Sequence, residues 1–131
     1  MSLNRNVVGW FEIPVLDMER AIRFYEEVFQ YKLSRNVMGP LDMAWFPGAE
    51  GVDSPGSPGS LVCYKEFYKP SADGTLIYFT GPSGDLKNEL SRVEKAGGKI
   101  LIPKKQISPD IGYMAVFLDT EGNRIALHTR K

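Results

Sequence analysis

The chain repeats one order of elements. An apolar strand, Val8 to Ile13, leads into an amphipathic helix, Asp17 to Phe29, and then into several short strands. The order begins again at Thr75-Leu76-Ile77-Tyr78-Phe79, with a helix over Asp85 to Ala96 and further short strands to the end. A doubled β-α-β-β-β pattern restricts the fold to two similar modules, here residues 7–66 and 74–130, sharing one core in a chain of 131 residues. The class is α+β.

Local signals place the elements. In the first strand Phe11 and Ile13 point one way, Trp10 and Glu12 the other. Asp17 suits a helix N-cap, with Glu19 in the first turn where the helix dipole favours an anion. Met18, Ala21, Ile22, Tyr25, Val28 and Phe29 recur at helical spacing as one apolar stripe. Strands are expected over Tyr31–Val37, Leu41–Phe46 and Ser60–Lys65. Between them Pro47–Gly59, rich in glycine and proline, reads as a mobile loop. The segment Phe67–Gly74 links the modules. In the second module Leu86, Leu90, Val93 and Gly97 share a helix face that Gly97-Gly98 terminates. A strand over Lys99–Ile102, a loop over Pro103–Ile111 and a hairpin of Tyr113–Leu118 with Arg124–Thr129 complete it.

Composition narrows the function. Lys plus Arg number 16 and Asp plus Glu number 16, for a net charge of +0. Neither a nucleic-acid partner nor an anionic membrane surface is expected, because each selects a basic excess. One cysteine, Cys63, excludes an internal disulfide and a cysteine-based zinc cluster. It suits a reducing compartment, so a cytoplasmic location is expected. No run approaches the about 18 apolar residues of a membrane span.

Three segments resemble the vicinal oxygen chelate superfamily, which includes glyoxalase I, fosfomycin- and bleomycin-resistance proteins and extradiol dioxygenases. They are Pro14-Val15-Leu16-Asp17-Met18-Glu19-Arg20-Ala21-Ile22-Arg23-Phe24-Tyr25, Val93-Glu94-Lys95-Ala96-Gly97-Gly98-Lys99-Ile100, and Phe117-Leu118-Asp119-Thr120-Glu121-Gly122-Asn123-Arg124-Ile125. The resemblance implies a curved mixed sheet around a U-shaped cleft, and a homodimer.

It also implies a place for a divalent metal, held by His and Glu on inward-facing strand positions. Carried over, those positions fall on Trp10, near Thr75, around Leu61 to Cys63, and on Ala126. Trp and Ala cannot ligate a metal and Thr is a poor ligand, so no metal and no other cofactor is expected. Glu12 and His128 sit two places along from vacated positions. They allow two readings: a Glu–His pair with the imidazole as general base, or a structural pair with a half-exposed histidine. A displaced metal at Glu12 and His128 would need a third ligand, and the chain has no second histidine.

Trp10, Trp45 and Tyr113 are the candidates for an aromatic ligand platform, with Tyr64 and Tyr78 also on strands; core or interface is the alternative for each. Cys63 reads as a buried small residue. The expected function is binding of a small organic molecule in the cleft. The alternatives are a lyase, isomerase or dioxygenase-like enzyme using Glu12 and His128, with or without a displaced metal, and a module that only dimerises or regulates a partner.

Overall fold

The computed structural model describes residues 4–49 and 54–131. In chain order the elements are β1 (Phe11–Pro14), α1 (Met18–Phe29), β2 (Ser34–Met38), β3 (Leu41–Trp45), β4 (Gly59–Cys63), β5 (Ile77–Thr80), α2 (Leu86–Val93), β6 (Lys99–Ser108), β7 (Gly112–Leu118) and β8 (Arg124–Thr129). They form two four-stranded mixed sheets of matching topology, β1-β4-β3-β2 and β5-β8-β7-β6. In each, the first strand of the module pairs in parallel with the last and the other pairings are antiparallel. No helix among the described residues is long and apolar enough to cross a membrane.

Both helices start where the sequence signals them. The Asp17 carboxylate accepts from the Arg20 amide at 3.1 Å, and the Asp85 carboxylate accepts from the Lys87 amide at 3.0 Å. Helix α1 ends on Gln30, which takes the left-handed conformation at φ 62°. Its buried face holds Met18, Ala21, Phe24, Tyr25, Val28 and Phe29. Phe24 belongs to that face and Ile22 lies at its margin.

The helices and the inner faces of both sheets share one core. Ile13, Ala44 and Leu61 from the first sheet meet Phe79, Phe117, Ile125 and Leu127 from the second. Phe79 joins the modules most directly. Its ring stacks on Phe29 at 4.9 Å between centroids and meets Phe46, Phe11 and Tyr25 at 5.3, 5.6 and 6.0 Å.

Strand β6 departs from expectation. Pro103 reads as the end of a four-residue strand, yet β6 continues to Ser108. It is the outermost strand of its sheet, and a proline without an N–H is tolerated at an edge. Register shifts against β7 around Ile102 and Lys105 accommodate it. At the β6–β7 turn Gly112 has φ 107°, and a Cβ there would run into the Thr129 carbonyl. Only glycine fits. Of the Pro47–Gly59 loop, residues 47–49 and 54–58 line a surface cavity together with the N-terminal segment Asn4–Gly9; residues 50–53 are outside the described part of the chain.

Candidate functional site

The parity of each strand sorts the candidates onto faces. On β1, Ile13 is in the core, so Glu12 and the preceding Trp10 lie on the side away from the helices. The parallel register sets Glu12 beside Ser60 on β4, and Ser60 beside Trp45 on β3. Trp10 and Trp45 therefore meet, edge to face, with centroids 5.5 Å apart. Each is 39% exposed. Leu61 points into the core and Cys63 packs against it, so within the stretch Leu61 to Cys63 the outer-face residue is Val62, with Ser60 before it. Ser60 is fully buried and its hydroxyl has no hydrogen-bond partner.

Glu12 and His128 do not form a pair. The Glu12 carboxylate accepts the Tyr68 hydroxyl at 2.7 Å and the Trp10 indole N–H at 3.3 Å. His128, on β8 between Thr80 and Met114, places Nε2 2.7 Å from the Ile111 carbonyl. The imidazole thus holds the β6–β7 turn. Parity explains both placements. Leu127 faces the core, so His128 is on the outer face, but on the second sheet and with its own backbone partner.

Tyr113 does not join Trp10 and Trp45 in an aromatic platform. It lies on the same face of β7 as Ala115 and Phe117 and packs against the core. Lys104 stands over its ring at 4.6 Å while bonding the helix cap Asp85 at 2.8 Å. Tyr78 is the outward aromatic of the second module, at 50% exposed. It was legible as a strand residue, and the burial of Phe79 beside it supplies the missing parity.

Where the edge strands β1 and β5 approach each other there is a cavity of about 820 Å³. Trp10, Phe11, Glu12, Ile77, Tyr78 and Arg124 line it, and the linker residues Lys69, Ser71 and Gly74 edge it. The volume is in the range of small-molecule sites. Trp45 stands behind Trp10, and neither Tyr113 nor His128 reaches the cavity.

The hairpin connecting β7 and β8 fastens this seam. Glu121 accepts from the Leu16 and Asp17 amides at 2.8 and 2.9 Å and from Arg20 Nε and Nη2 at 2.7 and 3.0 Å. Burial pushes its carboxyl upward, but Arg20, the two amides and Thr120 together outweigh that and bring it down to about 2. Asp119 accepts the buried Tyr25 hydroxyl at 2.7 Å. Burial raises the Asp119 carboxyl despite the donors around it. Asn123 donates to the Pro14 carbonyl at 2.7 Å and accepts from the Ser71 amide at 3.1 Å. These residues hold β1, the linker and α1 in place around the cavity.

A family-type metal does not fit the side chains present. Among the described residues no three His, Cys, Asp or Glu side chains are grouped so as to hold an ion. The outer-face positions carry an indole, a hydroxyl and aliphatic groups, with both Glu12 oxygens already bonded.

The family model for the Glyoxalase/Bleomycin resistance protein/Dioxygenase superfamily matches residues 7–127. The chain belongs to this superfamily. It is 32% identical over 132 residues to a glyoxylase-like domain-containing protein from Didymella fabae, covering 99% of this chain and 98% of that protein. Among solved structures, a glyoxalase/bleomycin resistance protein from Albidiferax ferrireducens T118 is similar with a TM-score of 0.72 at 16% identity, over 96% of this chain and 100% of that one. Glyoxalase I from Zea mays gives 0.66 at 20% identity over 92% of this chain. Only 45% of the maize chain is covered, so this superfamily member spans less than half its length.

Proposed function

We propose that this superfamily member is a cytoplasmic protein that binds a small organic molecule at the seam cavity without the superfamily's usual metal ligands. The observation that carries the reading is the cavity itself. It is large enough for a ligand, has aromatic walls in Trp10 and Tyr78, and is edged by a few polar side chains. The Glu12–His128 enzyme is not favoured, since each of the two is engaged elsewhere.

The chain has two tryptophans, and they touch each other at the cavity wall. Their emission is therefore a probe of occupancy. Native mass spectrometry of gently purified protein should reveal an organic adduct. Titration with the neutral fluorophore N-phenyl-1-naphthylamine should quench tryptophan emission saturably, with about one molecule per chain. Trp10→Ala should weaken that binding roughly tenfold, the scale of losing one buried aromatic contact of about 1.5 kcal/mol. Wild-type protein with no adduct and no saturable quenching would remove the reading.

The same reading includes a homodimer. The outer strands expose Val37, Met38, Leu101 and Ile102, apolar surface suited to a second copy. Light scattering on the eluting protein should give about twice the 14.7 kDa chain mass; a single chain mass at micromolar concentration would exclude the dimer.

A further inference from the structure

We propose that the seam cavity recognises an organic oxyanion, a carboxylate or its like on an apolar or aromatic body, with Arg124 as the anion's anchor. The inference rests on the cavity-binding reading above and adds the charge of the ligand.

Among the described residues three charged side chains line the cavity: Glu12, Lys69 and Arg124. The two Glu12 oxygens are already occupied by Tyr68 and Trp10. The Arg124 guanidinium is far less satisfied. Nη2 donates to the Gly74 carbonyl at 3.0 Å, while Nε is buried with no hydrogen-bond partner. Among the described residues no carboxylate forms an ion pair with it. A guanidinium has five N–H donors in a planar fork, and the bond to Gly74 uses one of them.

A strut holding the linker would need only the bond to Gly74. The terminal nitrogens of Arg124 keep N–H donors beyond that one bond, and Arg124 lines the cavity, where an acceptor can meet them. An oxyanion answers both the charge and the fork, because it can take two parallel N–H bonds. Exposed Lys69 at the cavity rim adds a second positive charge. Trp10, Phe11, Ile77 and Tyr78 offer the remaining wall to an apolar or planar body. An ammonium ligand is the poorer fit, since the one carboxylate among the described lining residues, Glu12, is held by its own donors.

Two fluorophores with the same ring system separate the anion from the body: 8-anilinonaphthalene-1-sulfonate and neutral N-phenyl-1-naphthylamine. On the full chain, Arg124→Gln should weaken the sulfonate about tenfold or more, the scale of a lost charge-assisted hydrogen bond. It should leave the neutral probe within about twofold, which also shows that the variant is folded, and Arg124→Lys should fall between. Wild-type protein gives an independent arm. Raising the salt should weaken the sulfonate and not the neutral probe. An unchanged ratio of the two affinities in Arg124→Gln, or a salt-independent sulfonate affinity where that variant does not fold, overturns the anion inference. If the neutral probe binds and the sulfonate does not, the anion inference fails and the cavity reading stands. If neither binds wild-type protein, the cavity reading itself has failed.

Discussion

Phe79→Ala should destabilise the protein by about 3–5 kcal/mol, the cost of truncating a buried aromatic and leaving a cavity behind. The ring lies in the core and touches Phe11, Tyr25, Phe29 and Phe46 of the other module. Such a loss is a large share of the roughly 5–15 kcal/mol that holds a domain folded. It should lower the midpoint of thermal unfolding by about 10–20 °C. The neighbouring Tyr78→Ala is the internal control. Tyr78 is half exposed on the opposite face of the same strand, and its loss should stay within about 1 kcal/mol. Scanning calorimetry on both variants decides the matter. If Phe79→Ala costs no more than Tyr78→Ala, the two modules do not depend on a common core.

Glu121→Gln should cost about 2 kcal/mol at neutral pH and flatten the response to acid. The Glu121 side chain is inaccessible to solvent, and Arg20, which is partly open to it, forms a bond of 2.7 Å; the openness of Arg20 is why the figure is modest. The folded-state carboxyl lies near 2, below its ordinary 4.5. Its contribution is therefore fully present above about pH 4.5 and is lost as the pH falls through 2. Asp119 acts with the opposite sign. Its raised carboxyl gives a contribution that is greatest when protonated and is lost as the pH rises through the folded value. Comparing wild type with Glu121→Gln isolates the first effect. Urea midpoints at several pH values should converge between pH 4.5 and 2. Parallel curves would mean that the clasp adds no stability.

The sequence and the structure agree where the signal is local. Asp17 and Asp85 cap helices because a carboxylate reaches an amide two or three residues on, and that depends on little else. The alternation of Trp10, Phe11, Glu12 and Ile13 was likewise readable, since strand parity is a property of neighbours. The site was harder. Tyr113 lies on the core side because β7 takes a register that no neighbour of Tyr113 announces. Pro103 stops a central strand but not an edge strand, and the edge position of β6 is a tertiary fact. Glu12 and His128 share outward parity yet lie on separate sheets with separate partners. Arg124 reads as an ordinary strand residue; its place at a cavity wall beside the linker is a tertiary fact. The sequence shows three acidic or amide residues in the last hairpin, Asp119, Glu121 and Asn123, but each bonds a partner on β1 or α1 or at the turn between them, about a hundred positions away.

That distance bears on how the chain is born. The amides of Leu16 and Asp17 are held by Glu121, more than a hundred residues downstream, and Tyr25 waits for Asp119 in the same way. During synthesis the first module can form its helix and its sheet, yet its helix entrance and one buried hydroxyl stay unmet until the last hairpin has left the ribosome. Closing so long a loop is slow, and the half-made chain exposes the aromatic surface that Phe79 will later cover. The early module therefore depends on late-arriving residues, and premature termination anywhere before the last hairpin leaves it incomplete.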